Sequence, residues 1–120
     1  MRIRNNPKAI EIIKQYDEIV IFRPVECKGK WNEYFAGRSG SKPDAPIRAE
    51  LGMGRGKFIS THGLLYKDIN FIGIDLRHEI ILSALMKVLE KELQNVILIP
   101  YNILDIEDVF EVSEVDTFYI

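Results

Sequence analysis

Apolar residues recur along this chain in two spacings, and the two spacings alternate. Compact apolar runs predict strands, whereas apolar residues three or four positions apart predict helices. The predicted strands are a run beginning at Ile47, then 70–76, 95–101 and 114–120. The predicted helices begin near Arg55 and cover 79–93 and 105–110. This order predicts a parallel sheet with right-handed crossovers, in the doubly wound α/β class.

Helical spacing also predicts which side chains pack on the sheet. In the first helix after Ile47 these are Phe58, Ile59, Leu64 and Leu65, with Gly63 as an internal weakness. In the longer helix they are Ile80, Ile81, Leu85, Val88 and Leu89.

The N-terminal third has a less regular pattern. Residues 7–16 predict a short amphipathic helix with Pro7 in its first turn. Residues 18–24 predict an extended segment or a short edge strand that Pro24 ends. Residues 36–46, with the sequence AGRSGSKPDAP, predict a flexible linker or mobile loop. We therefore predict a basic N-terminal extension over 1–46 and a nucleotide-binding unit over 47–120.

The fourth predicted strand runs to Ile120, with no turn or polar tail after it. A parallel strand normally has cover on both faces and a neighbour on each side. We therefore expect these residues to be the front half of a longer enzyme. An open apolar sheet edge would also favour self-association.

The composition is that of an ordinary globular chain, with 47% hydrophobic and 28% charged residues and a net charge of -2. No apolar run approaches the ~18 residues of a membrane-spanning helix, and the N-terminus has no signal-peptide pattern. We expect a cytoplasmic protein without a membrane partner. Because Cys27 is the single cysteine, an intrachain disulfide and a zinc cluster are excluded, and no metal site is expected.

The strongest candidate chemistry lies in a glycine loop between the first predicted strand and helix. Gly52, Gly54 and Gly56 stand at alternate positions there. Glycine permits positive φ and close approach of a ligand, and the first N–H groups of the following helix point at the same place. Such a string also occurs in ordinary turns, so the loop alone is a weak signal.

A carboxylate strengthens that signal. Asp75 ends the next predicted strand, about 20 residues past the glycines, where nucleotide-binding units place the acid that accepts ribose hydroxyls. The alternative role for Asp75 is the N-cap of the helix that follows it.

The spacing of the glycines distinguishes two cofactor classes. A dinucleotide fingerprint has its third glycine three positions after the second, but Gly56 is only two after Gly54. The carboxylate of Glu50, two residues before Gly52, would repel a pyrophosphate and suit the amine of an amino acid. S-adenosylmethionine carries an amine, a sulfonium and a ribose but no phosphate, and is therefore the favoured cofactor. An NAD-dependent oxidoreductase is the less favoured alternative.

Positive charge is concentrated near the N-terminus, where residues 1–42 hold nine Lys or Arg against five Asp or Glu. The candidate RNA-binding residues are Arg2, Arg4, Lys28, Lys30 and Trp31. Basic side chains beside an aromatic ring are typical of surfaces that contact phosphates and stack on bases. The alternative, which composition alone favours, is solvated charges with Trp31 packed over the core edge.

Taken together, these segments resemble the bacterial tRNA (guanine-N7-)-methyltransferases, which are class I S-adenosylmethionine-dependent enzymes. The resemblance is carried by 1–7 (MRIRNNP), 28–32 (KGKWN), 50–58 (ELGMGRGKF), 68–75 (DINFIGID), 94–96 (QNV) and 116–120 (DTFYI). It implies a Rossmann-like class I methyltransferase fold, of which the front half, about four parallel strands with flanking helices, is present.

The resemblance implies transfer of a methyl group to N7 of a guanine in the tRNA variable loop, with tRNA as the partner. It assigns the methionine end of the cofactor to Glu50 and the ribose hydroxyls to Asp75. It assigns the place near the adenine, usually held by an aspartate, to Asn102. The family's catalytic aspartate is expected beyond Ile120, so no catalytic residue is assigned here.

We therefore expect the chain to form much of the donor site but to methylate poorly or not at all. The alternative is a non-catalytic module that binds cofactor or associates with itself.

Overall fold

The structure, a computed structural model, describes residues 8–39 and 42–120. Its α-helices are α1 (Ala9–Ile13), α2 (Trp31–Ser39), α3 (Lys57–Leu65) and α4 (His78–Glu90). Short 3-10 helices cover Pro24–Cys27 and Ile103–Asp108. The strands are β1 (Ile47–Leu51), β2 (Asn70–Asp75), β3 (Val96–Pro100) and β4 (Thr117–Tyr119).

The strands form one sheet in the order β3-β2-β1-β4, and each neighbouring pair is parallel. β1 therefore has a partner on both sides, with Glu50 opposite Gly73 of β2 and Tyr119 of β4. Every residue of β2 is buried, which is typical of a parallel sheet covered by helices on both faces. The predicted α/β, Rossmann-like architecture is confirmed.

Side chains alternate between the two faces of the sheet, and each face has its own apolar core. Phe71 and Leu98 belong to the core beneath α1, α3 and α4. Ile72 and Ile97 belong to the opposite core, which α2 covers with Trp31. The predicted packing face of α4 is confirmed for Ile80, Ile81, Leu85 and Val88, which are buried, and Leu89 packs against the same core.

Residues 8–39 are part of this fold. α1 packs against α4, and Val20 forms a parallel bridge with Leu98 of β3. Trp31 and Phe35 of α2 have no exposed surface. Residues 8–39 therefore contribute to the same cores as the sheet, because without α2 one apolar sheet face would contact water. The division of the chain into an extension over 1–46 and a unit over 47–120 stays a prediction.

The predicted linker over 36–46 is wrong in its first part, because α2 continues to Ser39. Tertiary hydrogen bonds outweigh the low helix propensity of its Gly and Ser residues. The Arg38 guanidinium donates to the carbonyls of Gln94 (3.1 Å), Glu18 (3.2 Å) and Leu93 (3.3 Å). These contacts hold the last turn of the helix. Residues 40 and 41 lie outside the described part of the chain.

The predicted packing face of α3 is wrong at the C-terminal end of the helix. Ile59 is buried, but Leu64 and Leu65 are 43% and 66% exposed. Gly63 faces the sheet instead, and a Cβ there would lie 2.7 Å from Cγ2 of Val96. The glycine predicted to be a weakness therefore lets the helix approach the sheet closely.

The C-terminal elements are shorter than predicted. The acidic helix predicted over 105–110 is the 3-10 helix Ile103–Asp108, and only Thr117–Tyr119 of 114–120 is strand. β4 is an edge strand of the described sheet, and its Phe118 is 44% exposed. Self-association through this edge stays a prediction. Among the described residues, no helix has the length and apolar character needed to cross a membrane.

Candidate cofactor site

The glycine loop is tied to the end of β2. The N–H of Gly52 donates to the carbonyl of Ile74 at 2.8 Å, and the N–H of Met53 donates to Oδ2 of Asp75 at 3.2 Å. The carboxyl ends of parallel strands meet at one edge of a sheet, so Glu50, the loop and Asp75 come together there. Two segments that are about 20 residues apart in sequence thus form one site.

The three glycines of the loop have positive φ, at 82° for Gly52, 57° for Gly54 and 80° for Gly56. A Cβ at Gly52 or Gly54 would meet no atom within 4 Å, so both positions border open space. A Cβ at Gly56 would lie 2.6 Å from Cα of Ala84 in α4. The first two glycines therefore leave room for a ligand, whereas Gly56 lets the start of α3 pack against α4.

The Glu50 carboxyl is the unusual electrostatic feature of the site. Its Oε1 atom is buried, and no donor among the described residues reaches it. Burial raises the pKa of Glu50 to about 7, and the neighbouring negative charge of Asp75 adds to that rise. A buried acceptor without a donor costs free energy, so a cationic donor at this position would stabilise the ionised carboxyl.

Asp75 is 4% exposed, and both of its oxygens already accept hydrogen bonds. Oδ1 accepts from the N–H of Arg77 (3.0 Å) and from its Nε (3.1 Å), while Oδ2 accepts from Nη2 of Arg77 (3.1 Å) and from Met53. The N-cap of α4 is Arg77, and no side chain caps this helix. Asp75 therefore organises the turn between β2 and α4 but does not cap the helix.

Asn102 follows β3 at the same edge of the sheet. Its Oδ1 accepts the N–H of Leu104 at 3.0 Å, which makes Asn102 the N-cap of Ile103–Asp108. The N–H of Tyr101 donates to the carbonyl of Asp75 at 3.3 Å, so the ends of β2 and β3 are joined beside the loop.

Two residues of this site escaped sequence reasoning. Met53 is buried, and a Cβ on Gly73 would overlap its sulfur, so Gly73 is required where β2 passes beneath the loop. Arg77 binds Asp75 from two positions further along the chain. The Asp-x-Arg spacing was visible in the sequence, but only the turn geometry shows that the guanidinium folds back.

The candidate RNA-binding residues are placed very differently. Arg2 and Arg4 lie outside the described residues. Lys30 is exposed and Lys28 is half-buried. Trp31 is fully buried, and its Nε1 donates to the carbonyl of Val109 at 2.9 Å. The prediction that Trp31 stacks on a base is therefore wrong, because the indole is an anchor of the core.

A strand, a glycine loop and a helix, followed by an acidic residue at the end of the adjacent parallel strand, define a Rossmann-like α/β protein. Comparison with known proteins then identifies the family. The profile of a family described as putative methyltransferase matches residues 44–120, and the chain belongs to that family.

The chain is also similar to curated proteins named tRNA (guanine-N(7)-)-methyltransferase. The protein of Geobacillus sp. (strain WCH70) is 41% identical over 120 residues, which cover all of this chain and 52% of that protein. The protein of Clostridium kluyveri is 47% identical over 102 residues, which cover 85% of this chain and 46% of that protein. The protein of Streptococcus sanguinis is 36% identical over 120 residues, all of this chain and 54% of that protein. The resemblance seen in the sequence is confirmed, and the chain spans about half the length of the curated relatives it matches.

Proposed function

We propose that this chain binds S-adenosylmethionine at the carboxyl edge of its sheet. The observation that carries the proposal is the buried Oε1 of Glu50, which lacks a donor among the described residues and lies beside a glycine loop that borders open space. An ammonium group is the donor that this carboxyl requires, and an amino-acid end of a ligand supplies one. A pyrophosphate at the same position would be repelled.

The other roles follow from the positions of the side chains. Gly52 and Gly54 let the ligand approach the backbone, and Asp75 accepts the ribose hydroxyls after its contacts with Arg77 rearrange. Asn102 borders the adenine. Each of these assignments is part of the proposal, and each is supported by the convergence of the loop, β2 and β3 at one edge of the sheet.

For the whole protein we propose methyl transfer to N7 of a guanine in tRNA, the substrate named for its relatives. When bound, the cofactor supplies an electrophilic methyl group on a sulfonium. Guanine N7 has a lone pair and no proton, so this chain's residues need to hold and orient the donor, and they need not remove a proton first. Lys28 and Lys30, together with Arg2 and Arg4, are proposed to contact the tRNA phosphates.

Calorimetric titration of the chain with S-adenosylhomocysteine tests the donor site. We expect saturable binding that Asp75→Asn abolishes or weakens at least tenfold, because the amide cannot accept both ribose hydroxyls. Asp68→Asn, which removes the same charge from an exposed position, is the matched control and should bind like the wild type.

The outcomes distinguish the alternative functions. Binding of NADH in place of S-adenosylhomocysteine would support the oxidoreductase alternative and overturn the proposal. Binding of neither ligand by a folded chain would leave a non-catalytic or self-associating module as the better description.

A further inference from the structure

A single carboxylate from the far end of the chain holds the loop at residues 28–30. Oε1 of Glu114 accepts the N–H groups of Gly29 and Glu111, each at 2.9 Å, and Oε2 accepts the N–H of Trp31 at 3.1 Å. Trp31 is the first residue of α2, so its N–H has no carbonyl partner within the helix. Glu114 therefore caps α2 and fixes the backbone before it.

The shape of the loop is constrained on both sides. Gly29 has a φ of 78°, and a Cβ there would lie 3.1 Å from Cγ of Glu111. On the other side, the buried Trp31 indole is bonded to Val109. The loop is thus held between a rigid core anchor and the segment that contains Glu114, with one lysine on each side of Gly29.

We propose that Glu114 is a positioning residue for RNA binding, because it holds the backbone that carries Lys28 and Lys30 in one conformation. This inference rests on the proposed function, in which these two lysines contact tRNA phosphates. An ordered loop loses less conformational freedom on binding than an unrestrained one, so its lysines bind more tightly.

Simple electrostatics and a positioning role predict opposite effects of removing Glu114 on the affinity for tRNA. On Coulombic grounds alone, removal of an acidic residue beside two lysines should strengthen binding of a polyanion. A positioning role predicts the opposite, because the lysines lose their fixed arrangement together with the carboxylate. Glu111 is the matched control, since it is an exposed glutamate in the same segment whose contribution to the Glu114 cap is its backbone N–H.

The experiment measures binding of a fluorescently labelled tRNA transcript by anisotropy at several KCl concentrations, for wild type, Glu114→Gln, Glu111→Gln and Lys28→Gln/Lys30→Gln. The double lysine variant should bind roughly three- to tenfold more weakly, and the slope of log K against log [KCl] should fall by about one for each lost phosphate contact. We expect Glu114→Gln to weaken binding and lower the slope, whereas Glu111→Gln leaves affinity unchanged or raises it. Thermal unfolding followed by circular dichroism identifies any loss of folded protein, which would lower the bound fraction without changing the slope.

Each outcome supports or overturns the positioning role of Glu114. Equal or tighter binding by Glu114→Gln, with weaker binding by the double lysine variant, would overturn the positioning role and leave the proposed RNA contact intact. An unchanged affinity of the double lysine variant would overturn the RNA contact and the inference with it. If Glu114→Gln is unfolded, Glu114→Asp decides by the same readout, because it keeps the charge and moves the acceptors away from the loop.

Discussion

At the scale of single residues, the Glu50 carboxyl controls the chemistry of the candidate site. Burial and the charge of Asp75 raise its pKa to about 7, so a substantial part of Glu50 is protonated near neutral pH. A bound ammonium group favours the ionised form and lowers this pKa. Ligand binding and proton release are therefore coupled.

We expect the affinity for S-adenosylhomocysteine to rise between pH 6 and pH 8, as Glu50 loses its proton. Titrations at pH 6 in buffers of different ionisation enthalpy should show that binding releases a proton. Glu50→Gln should bind more weakly and show neither effect. A wild-type affinity independent of pH across this range would contradict the assigned contact.

The same carboxyl gives a prediction that needs no ligand. The pKa of Glu50 is higher in the folded chain than the usual 4.5, so the folded state binds the proton more tightly than the unfolded state does. The stabilising contribution is complete below about pH 4.5 and is lost as the pH rises through about 7. Urea unfolding should therefore show that Glu50→Gln gains stability relative to wild type over this interval; a constant difference would contradict the pKa shift.

Arg77 should compete with the ligand, because it donates hydrogen bonds to the Asp75 oxygens that would otherwise accept the ribose hydroxyls. Arg77→Ala should bind S-adenosylhomocysteine about two- to fivefold more tightly, since the ribose then need not displace an exposed guanidinium from the buried Asp75 carboxylate, a contact worth about 0.4–1 kcal/mol after solvent screening. Lys67→Ala, at an exposed position, is the control. Weaker binding by Arg77→Ala would mean that the guanidinium contacts the ligand.

At the scale of elements, the glycine loop performs two separate tasks. Gly54 borders open space, whereas Gly56 sits at the N-cap of α3 against Ala84 of α4. Arg55 lies between these two glycines. Its carbonyl accepts hydrogen bonds from the side chains of Lys87 (2.9 Å) and Ser83 (3.1 Å) of α4. The loop is therefore fixed from the α4 side and open on the ligand side.

Alanine substitution at Gly54 and Gly56 should separate these tasks. Gly54→Ala should cost about 1–2 kcal/mol of stability for its positive φ and should reduce S-adenosylhomocysteine binding. Gly56→Ala carries the same strain plus the overlap with α4, so it should cost roughly 1–3 kcal/mol more. Urea unfolding and calorimetry of the two variants provide the test, and equal stability losses would contradict the packing role of Gly56.

At the scale of the whole molecule, one sheet is covered by helices on both of its faces. α2 covers the face that carries Ile72 and Ile97, and its first turn is anchored by Glu114, which lies just before β4. The residues matched by the family profile begin at 44, but the described core also requires the segment that precedes them.

Deletion of residues 1–41 should therefore abolish cooperative unfolding, because it removes α1 and α2 and exposes part of each core. Trp31→Ala in the complete chain should lower the free energy of unfolding by about 3–5 kcal/mol. Circular dichroism during urea unfolding tests both, with Lys30→Gln as an exposed control. A cooperatively folded 42–120 fragment would contradict this account.

The sequence by itself determined the order of the elements from β1 onward and the parallel sheet, and it predicted a candidate site at the end of β1. These features depend on local spacing, since a buried strand, a glycine loop and an amphipathic helix each have a pattern within one short window. Glu50, Gly52, Gly54 and Asp75 could be proposed as site residues for the same reason.

Only the tertiary structure decided the features that depend on which distant segments meet. It buried Trp31 against Val109, made Gly56 and Gly63 packing positions, and turned Arg77 onto Asp75. It also raised the pKa of Glu50, because that shift comes from burial and from a charge on another strand. A sequence states the residue types, but burial and long-range partners exist only after the chain has folded.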